Sequence, residues 1–122
     1  MRYLLILALS ATCFAQQPQR VVDRPFILLN GAQYMMGLAD TMVTQDCIRA
    51  DTCHEANPWM PSSAWGQFGV ITGVSAAEVL ASYELKKSGS KWWVLVPAVG
   101  IAGHAVGIGS GVRYFEWRFA LP

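Results

Sequence analysis

The stretch that decides the reading is "GLADTMVTQDCIRADTCHEANPW", Gly37 to Trp59. It gathers Asp40, Asp46, Asp51, His54, Glu55, Cys47 and Cys53 directly behind the apolar run "RPFILLNGAQYMM". So polar a stretch after a membrane-length apolar one is either a site for chemistry or metal, or a helix end with the loop to the next helix. Its neighbours favour the second reading. Downstream, "CHEANPWMPSS" carries two prolines, and Asn57 before Pro58 favours a turn that forbids a continued helix.

Composition agrees. The chain has 122 residues, enough for one small domain. Hydrophobic residues make up 53% and charged residues 14%, where a soluble domain carries about 25% charge. The net charge of +1 provides no basic field for nucleic acid. A soluble three-helix bundle competes with a membrane chain, but it needs more charge on its outer faces.

The start, "MRYLLILALSATCFAQQPQR", resembles a secretory signal cleaved after Ala15, with Cys13 and Ala15 as the small residues before the cut. An acylated Cys13 and an uncleaved anchor are the alternatives. The expected layout is a signal over 1–15, a polar segment over 16–25, a helical membrane domain over 26–113 and an interfacial tail over 114–122. After cleavage Cys47 and Cys53 remain, and an even pair in an exported chain suggests a disulfide; two free thiols are the other reading.

The expected fold is all-α, a membrane three-helix bundle with spans near 26–46, 65–85 and 92–112. Each is about 20 residues, the length that crosses ~30 Å of hydrocarbon. In the first span Asn30, Gln33, Gly37, Asp40 or Thr41, and Thr44 share one face, with Ile27, Leu28, Met35 and Met42 left for lipid. In the second, Gly69, Gly73, Ala77 and Ala81 recur every four residues. In the third, Pro97, Gly100, His104, Gly107 and Gly111 form a stripe, with Pro97 placed to kink the helix. Small residues at that spacing let helices approach closely in lipid, so both stripes are expected to pack inward.

Aromatic residues mark the ends: Trp59 and Trp65 at one interface, Tyr83, Trp92 and Trp93 at the other, then Tyr114, Phe115 and Trp117. Orientation rules conflict. The basic "KKSGSK" turn belongs in the cytoplasm by charge count, whereas a cleaved signal would put the acidic loop there.

Ionisable groups inside spans are candidates for function. Asp40 lies about 9 Å and His104 about 12 Å from the same side at helical rise, level with Thr72 and Gly73. They can meet as a proton relay, a metal-orienting pair or a structural hydrogen bond. Glu78 lies nearer the other side and belongs to another cluster or reaches the interface. Cys47, Cys53, His54 and Glu55 have no standard zinc spacing, so no metal and no cofactor are expected. Ser75 and Ser82 lack a nucleophile-elbow context, and "GIAGHAVGIGSG" fits helix packing better than phosphate binding.

The pattern "LADTMVT…HEANPWM" resembles a family of small prokaryotic membrane proteins of unknown function, through Asp40, Thr41, Thr44, Glu55, Asn57 and Pro58. The resemblance covers about 26–112. It implies a helical domain in the inner membrane of a bacterium and no established activity. The leading expectation is a small integral membrane protein with a structural or interaction role. Its partners are the bilayer and a second copy or a larger membrane complex. The alternative is a membrane-embedded enzyme or proton- or ion-handling protein using Asp40 and His104, with Glu55 at the mouth. A secreted soluble protein is the third reading.

Overall fold

Asp23 starts the first helix. Its carboxylate accepts from the Phe26 N–H at 3.0 Å, and Pro25 follows in the first turn, where a missing N–H breaks no ladder bond. Residues 20–55 and 57–119 are described by the computed structural model, with side chains through residue 112. The signal-like leader with Cys13, residues 16–19, and the side chains of Tyr114, Phe115 and Trp117 lie outside that description.

Helix α1 runs Arg24–Arg49 and α2 runs Ala64–Lys87. A 3₁₀ turn at Lys91–Val94 then feeds α3, Leu95–Phe119. No strand occurs among the described residues. Ser63 caps α2 by accepting from the Gly66 N–H at 3.2 Å. Gly89, at φ 79°, ends α2 in the left-handed region, so that the Ser90 N–H reaches back to the Leu85 carbonyl at 3.0 Å. Pro97 sits in the first turn of α3, where its missing N–H is again harmless, so it is a helix start rather than a kink. α3 also continues past the expected boundary at 112 as far as Phe119.

α1 is the central element. It packs most extensively on α3, next on α2, and α2 touches α3 least. The polarity of the bundle is turned inside out. Asn30, Gln33, Thr41, Gln45, Gln67, Ser75 and Ser82 are buried, against Phe26, Cys47 and Ile71 among the apolar residues. Ile27, Leu28, Met35, Met42, Leu80 and Val106 stand exposed on the outside. A water-driven core buries the opposite set.

α1 turns inward the face expected of it, Asn30, Gln33, Gly37 and Thr41, while Met35 and Met42 point out. α3 does the same with Pro97 and the stripe behind it. α2 does not. Its inward face is Gln67, Ile71, Ser75 and Ser82, and Gly69, Gly73, Ala77 and Ala81 are exposed. A methyl group added at Gly69 or Gly73 would meet nothing within 4 Å. The cause is hydrogen bonding: the glutamine and serine side chains on α2 have partners on α1 and in the loop, and the small residues have none to offer.

Among the described residues, one helix is long and apolar enough to cross a membrane, Lys91–Val112, 22 residues at mean hydropathy 1.5. α1 and α2, at 26 and 24 residues, have the length. Their inward polar residues dilute the hydropathy.

The two ends differ. At the turn end the Lys86 ammonium donates to Asp23 and lies 4.4 Å from the centre of the Trp93 ring. The bond from Lys86, and then the one from the Phe26 N–H, hold the Asp23 carboxyl below its ordinary range. At the other end Cys47 and Cys53 form a disulfide across Cα atoms 5.6 Å apart.

Candidate functional site

The last three turns of α1 set the floor of the site. Asp40 lies nine residues before Arg49, ~14 Å along the helix from its end. Across the seam, His104 of α3 presents Nδ1 to Asp40 Oδ2 at 3.0 Å, and both side chains are about four-fifths buried, 19% and 23% exposed. A carboxylate accepts, so Nδ1–H donates, and in a neutral imidazole Nε2 is then the acceptor nitrogen. That nitrogen faces Gly37, only 3.1 Å from where a side chain there would begin.

Glycines make the pair fit. A methyl group at Gly107 would fall 2.7 Å from Asp40 Oδ2, and one at Gly111 would fall 2.5 Å from Val43 Cγ1. Gly100 approaches Gln33 in the same way, 2.7 Å from Cγ. Thus the α3 glycines give the α1 side chains their room. Ile71, 7% exposed, reaches the same level from α2. Thr72 and Gly73, level with the pair by residue count, turn elsewhere: the Thr72 hydroxyl bonds Tyr34 at 3.2 Å.

Above the pair opens a cleft of about 510 Å³, lined by Asp40, Thr44, Cys47, Thr52, Cys53, His54, Glu55, Gly107, Ser110 and Gly111. The loop that forms its rim is pinned at three places. The disulfide closes it, and the Thr52 hydroxyl donates to the Cys47 carbonyl at 3.0 Å. Glu55 accepts from the Asn57 N–H at 3.0 Å and from Gln67 Nε2 at 2.9 Å. Gln45 donates to the Ser62 carbonyl at 3.4 Å. Asp51 takes φ 54° to turn the chain out of α1.

Asp40 and Glu55 therefore line one cleft, which His104 adjoins only through its bond to Asp40, and Glu55 is turned to α2 as a loop anchor rather than to Asp40. The two cysteine sulfurs are bonded to each other and offer no thiolate. Among the described residues no group of three His, Cys, Asp or Glu side chains stands close enough to hold a metal. Ser82 donates to the Trp93 carbonyl at 3.2 Å and Ser75 accepts from Gln33 at 3.2 Å, so neither faces the cleft. Sequence reasoning missed Gln67 and Gln45. Gln45 carried a signal, four residues past Thr41 on the polar face of α1, whereas Gln67 opens one of two stripes on α2 that spacing alone does not rank.

The chain matches no protein-family model, no curated protein and no solved structure.

Proposed function

We propose that the protein is a small integral membrane bundle that handles protons or small cations through the Asp40–His104 pair. One observation carries this reading: Asp40, bonded to His104, lines a cleft edged by Thr44, His54 and Glu55, inside a bundle that exposes many large apolar side chains. Ionisable groups within apolar surroundings are expensive, and they turn to a bundle interior or a water-filled cavity and to one another. His104 and Asp40 do so. A histidine whose Nδ1–H is held by a carboxylate has its other ring nitrogen free to take or give a proton, the arrangement a proton relay uses. The resemblance to small prokaryotic membrane proteins points to the same setting, the inner membrane of a bacterium.

Charge supports an orientation. Arg20, Arg24, Lys86, Lys87 and Lys91 gather at the turn end, against Arg49, Arg113 and Arg118 at the cleft end. This excess supports a turn in the cytoplasm and a cleft outside, in the compartment where a disulfide persists.

The test is proton flux in liposomes carrying the purified protein and a trapped pH dye. Flux above that of empty liposomes, lost in Asp40→Asn and in His104→Gln, supports the reading. Flux equal to empty liposomes refutes it.

A specific observation favours a second reading, a structural or interaction role. Gly69, Gly73, Ala77 and Ala81 form an exposed stripe on α2 at the spacing that brings membrane helices together. If that reading holds, Gly73→Leu abolishes self-association or complex formation and leaves flux untouched.

A further inference from the structure

The chain has three lysines, all at the turn between α2 and α3, and they differ in what they touch. Lys86 donates to Asp23 and lies over the Trp93 ring. Lys87 stands 3.8 Å from the Glu84 carboxylate. Lys91 is exposed, and among the described residues no carboxylate pairs with it.

Lys91 also lines a groove. With Ser90, Trp92, Val94 and Leu95 it borders a concavity of about 530 Å³, within the ~300–1,000 Å³ of small-molecule sites. Two kinds of group meet there. Trp92, Val94 and Leu95 present exposed apolar surface. Lys91 and Ser90 supply donors: the ammonium is unpaired, and the Ser90 hydroxyl, which accepts from the Trp92 N–H at 3.3 Å, keeps its own proton to give. Along the chain the donors come first and the apolar side chains follow into α3. In a bilayer this order sets the donors at headgroup level, Trp92 at the interface, and Val94 and Leu95 against the acyl chains. Charge then selects the headgroup. No acidic residue lines the groove, so it has no carboxylate for the cationic end of a zwitterionic lipid, whereas a phosphate without that cation suits Lys91.

We propose that this groove binds an anionic phospholipid, its phosphate on Lys91 and Ser90 and its first acyl methylenes against Trp92, Val94 and Leu95. The proposal is independent of proton handling and rests on the membrane setting alone.

The experiment is thermal unfolding of the full chain, purified in non-ionic detergent, titrated with phosphatidylglycerol, phosphatidylcholine or inorganic phosphate. Phosphatidylglycerol is expected to raise the midpoint about 5 °C, saturably, and the other two to leave it unchanged. Lys91→Gln weakens the apparent affinity about fivefold, more than Lys87→Gln does. Both side chains are exposed, so neither substitution disturbs the packing. Equal midpoints with the two lipids overturn the proposal, and so does an equal response to inorganic phosphate, which would reduce the site to a free-anion contact. Equal weakening by Lys91→Gln and Lys87→Gln overturns it as well, by making the effect one of diffuse charge. Carbonate extraction of membranes tests the setting separately. A chain that stays in the pellet without a phosphatidylglycerol response loses the site and keeps the membrane reading; a chain released to the supernatant loses both.

Discussion

The glycines of α3 and those of α2 recur at similar spacing and meet opposite surroundings. Gly100, Gly107 and Gly111 press on Gln33, Asp40 and Val43 of α1, while Gly69 and Gly73 face outward with open space around them. The difference lies in what the neighbouring helix must place between them. α1 sends long or charged side chains toward α3, and only a residue without a side chain leaves them room. Toward α2 it sends groups that need hydrogen-bond partners, and α2 meets Gln33 with Ser75 and Glu78. A small residue thus permits close approach, and the bonding needs of its neighbours decide whether the approach happens.

The largest expected effect breaks this comparison directly. Gly100→Leu drives a side chain into Gln33, which is fully enclosed, and lowers stability by about 3 kcal/mol in detergent unfolding. Gly73→Leu, on the outward stripe, stays within about 0.5 kcal/mol of the wild type in the same assay. Equal losses would mean that α2 packs with its small stripe inward.

Next in size is the loop. Reducing the Cys47–Cys53 disulfide, which closes a loop at a sequence separation of 6, costs about 2 kcal/mol through freed chain entropy. It also frees the cleft rim, while the Gln67 bond to Glu55 keeps one anchor. Reduction followed by thermal unfolding measures the loss. His104→Ala comes third, at about 1 kcal/mol for the lost helix–helix bond to Asp40.

The smallest effect contrasts the two ends. The folded-state pKa of Asp23 is depressed, so the stability it contributes is present above its ordinary value of 3.8 and is lost as pH falls through the depressed value. Unfolding midpoints measured between pH 5 and roughly pH 2 should show an acid-side loss that Lys86→Met removes. A pH profile identical in Lys86→Met would assign that loss elsewhere.

The faces of α1 and α3 were legible in the sequence because one stripe on each carries the polar groups. Asn30, Gln33, Gly37 and Thr41 mark it on α1, and on α3 His104 singles out the stripe of Gly100 and Gly107 over that of Ala98, Ala102, Ala105 and Gly109. α2 carries two. Its small stripe at 69, 73, 77 and 81 and its mainly polar stripe of Gln67, Ile71, Ser75, Glu78 and Ser82 both repeat every three or four residues. Spacing cannot rank them, because the partners that settle it, Gln33 and Glu55, are far away in the chain. The Asp40–His104 contact was legible from matching depths. The deeper Gln33–Ser75–Glu78 cluster was not, since it depends on which way α2 turns.

An apolar outer face and a cleft reached from the loop end are the two halves of the proposed membrane bundle, and Met42 and Thr44 test them most directly. They lie ~3 Å apart along α1, with Met42 59% exposed on the outer face and Thr44 lining the cleft. Each is replaced by cysteine in a Cys13→Ser chain with the disulfide intact, then treated in membranes with an impermeant thiol reagent. The account predicts that Thr44→Cys reacts and Met42→Cys does not. Equal reaction at both positions, or reaction at Met42→Cys alone, would contradict it.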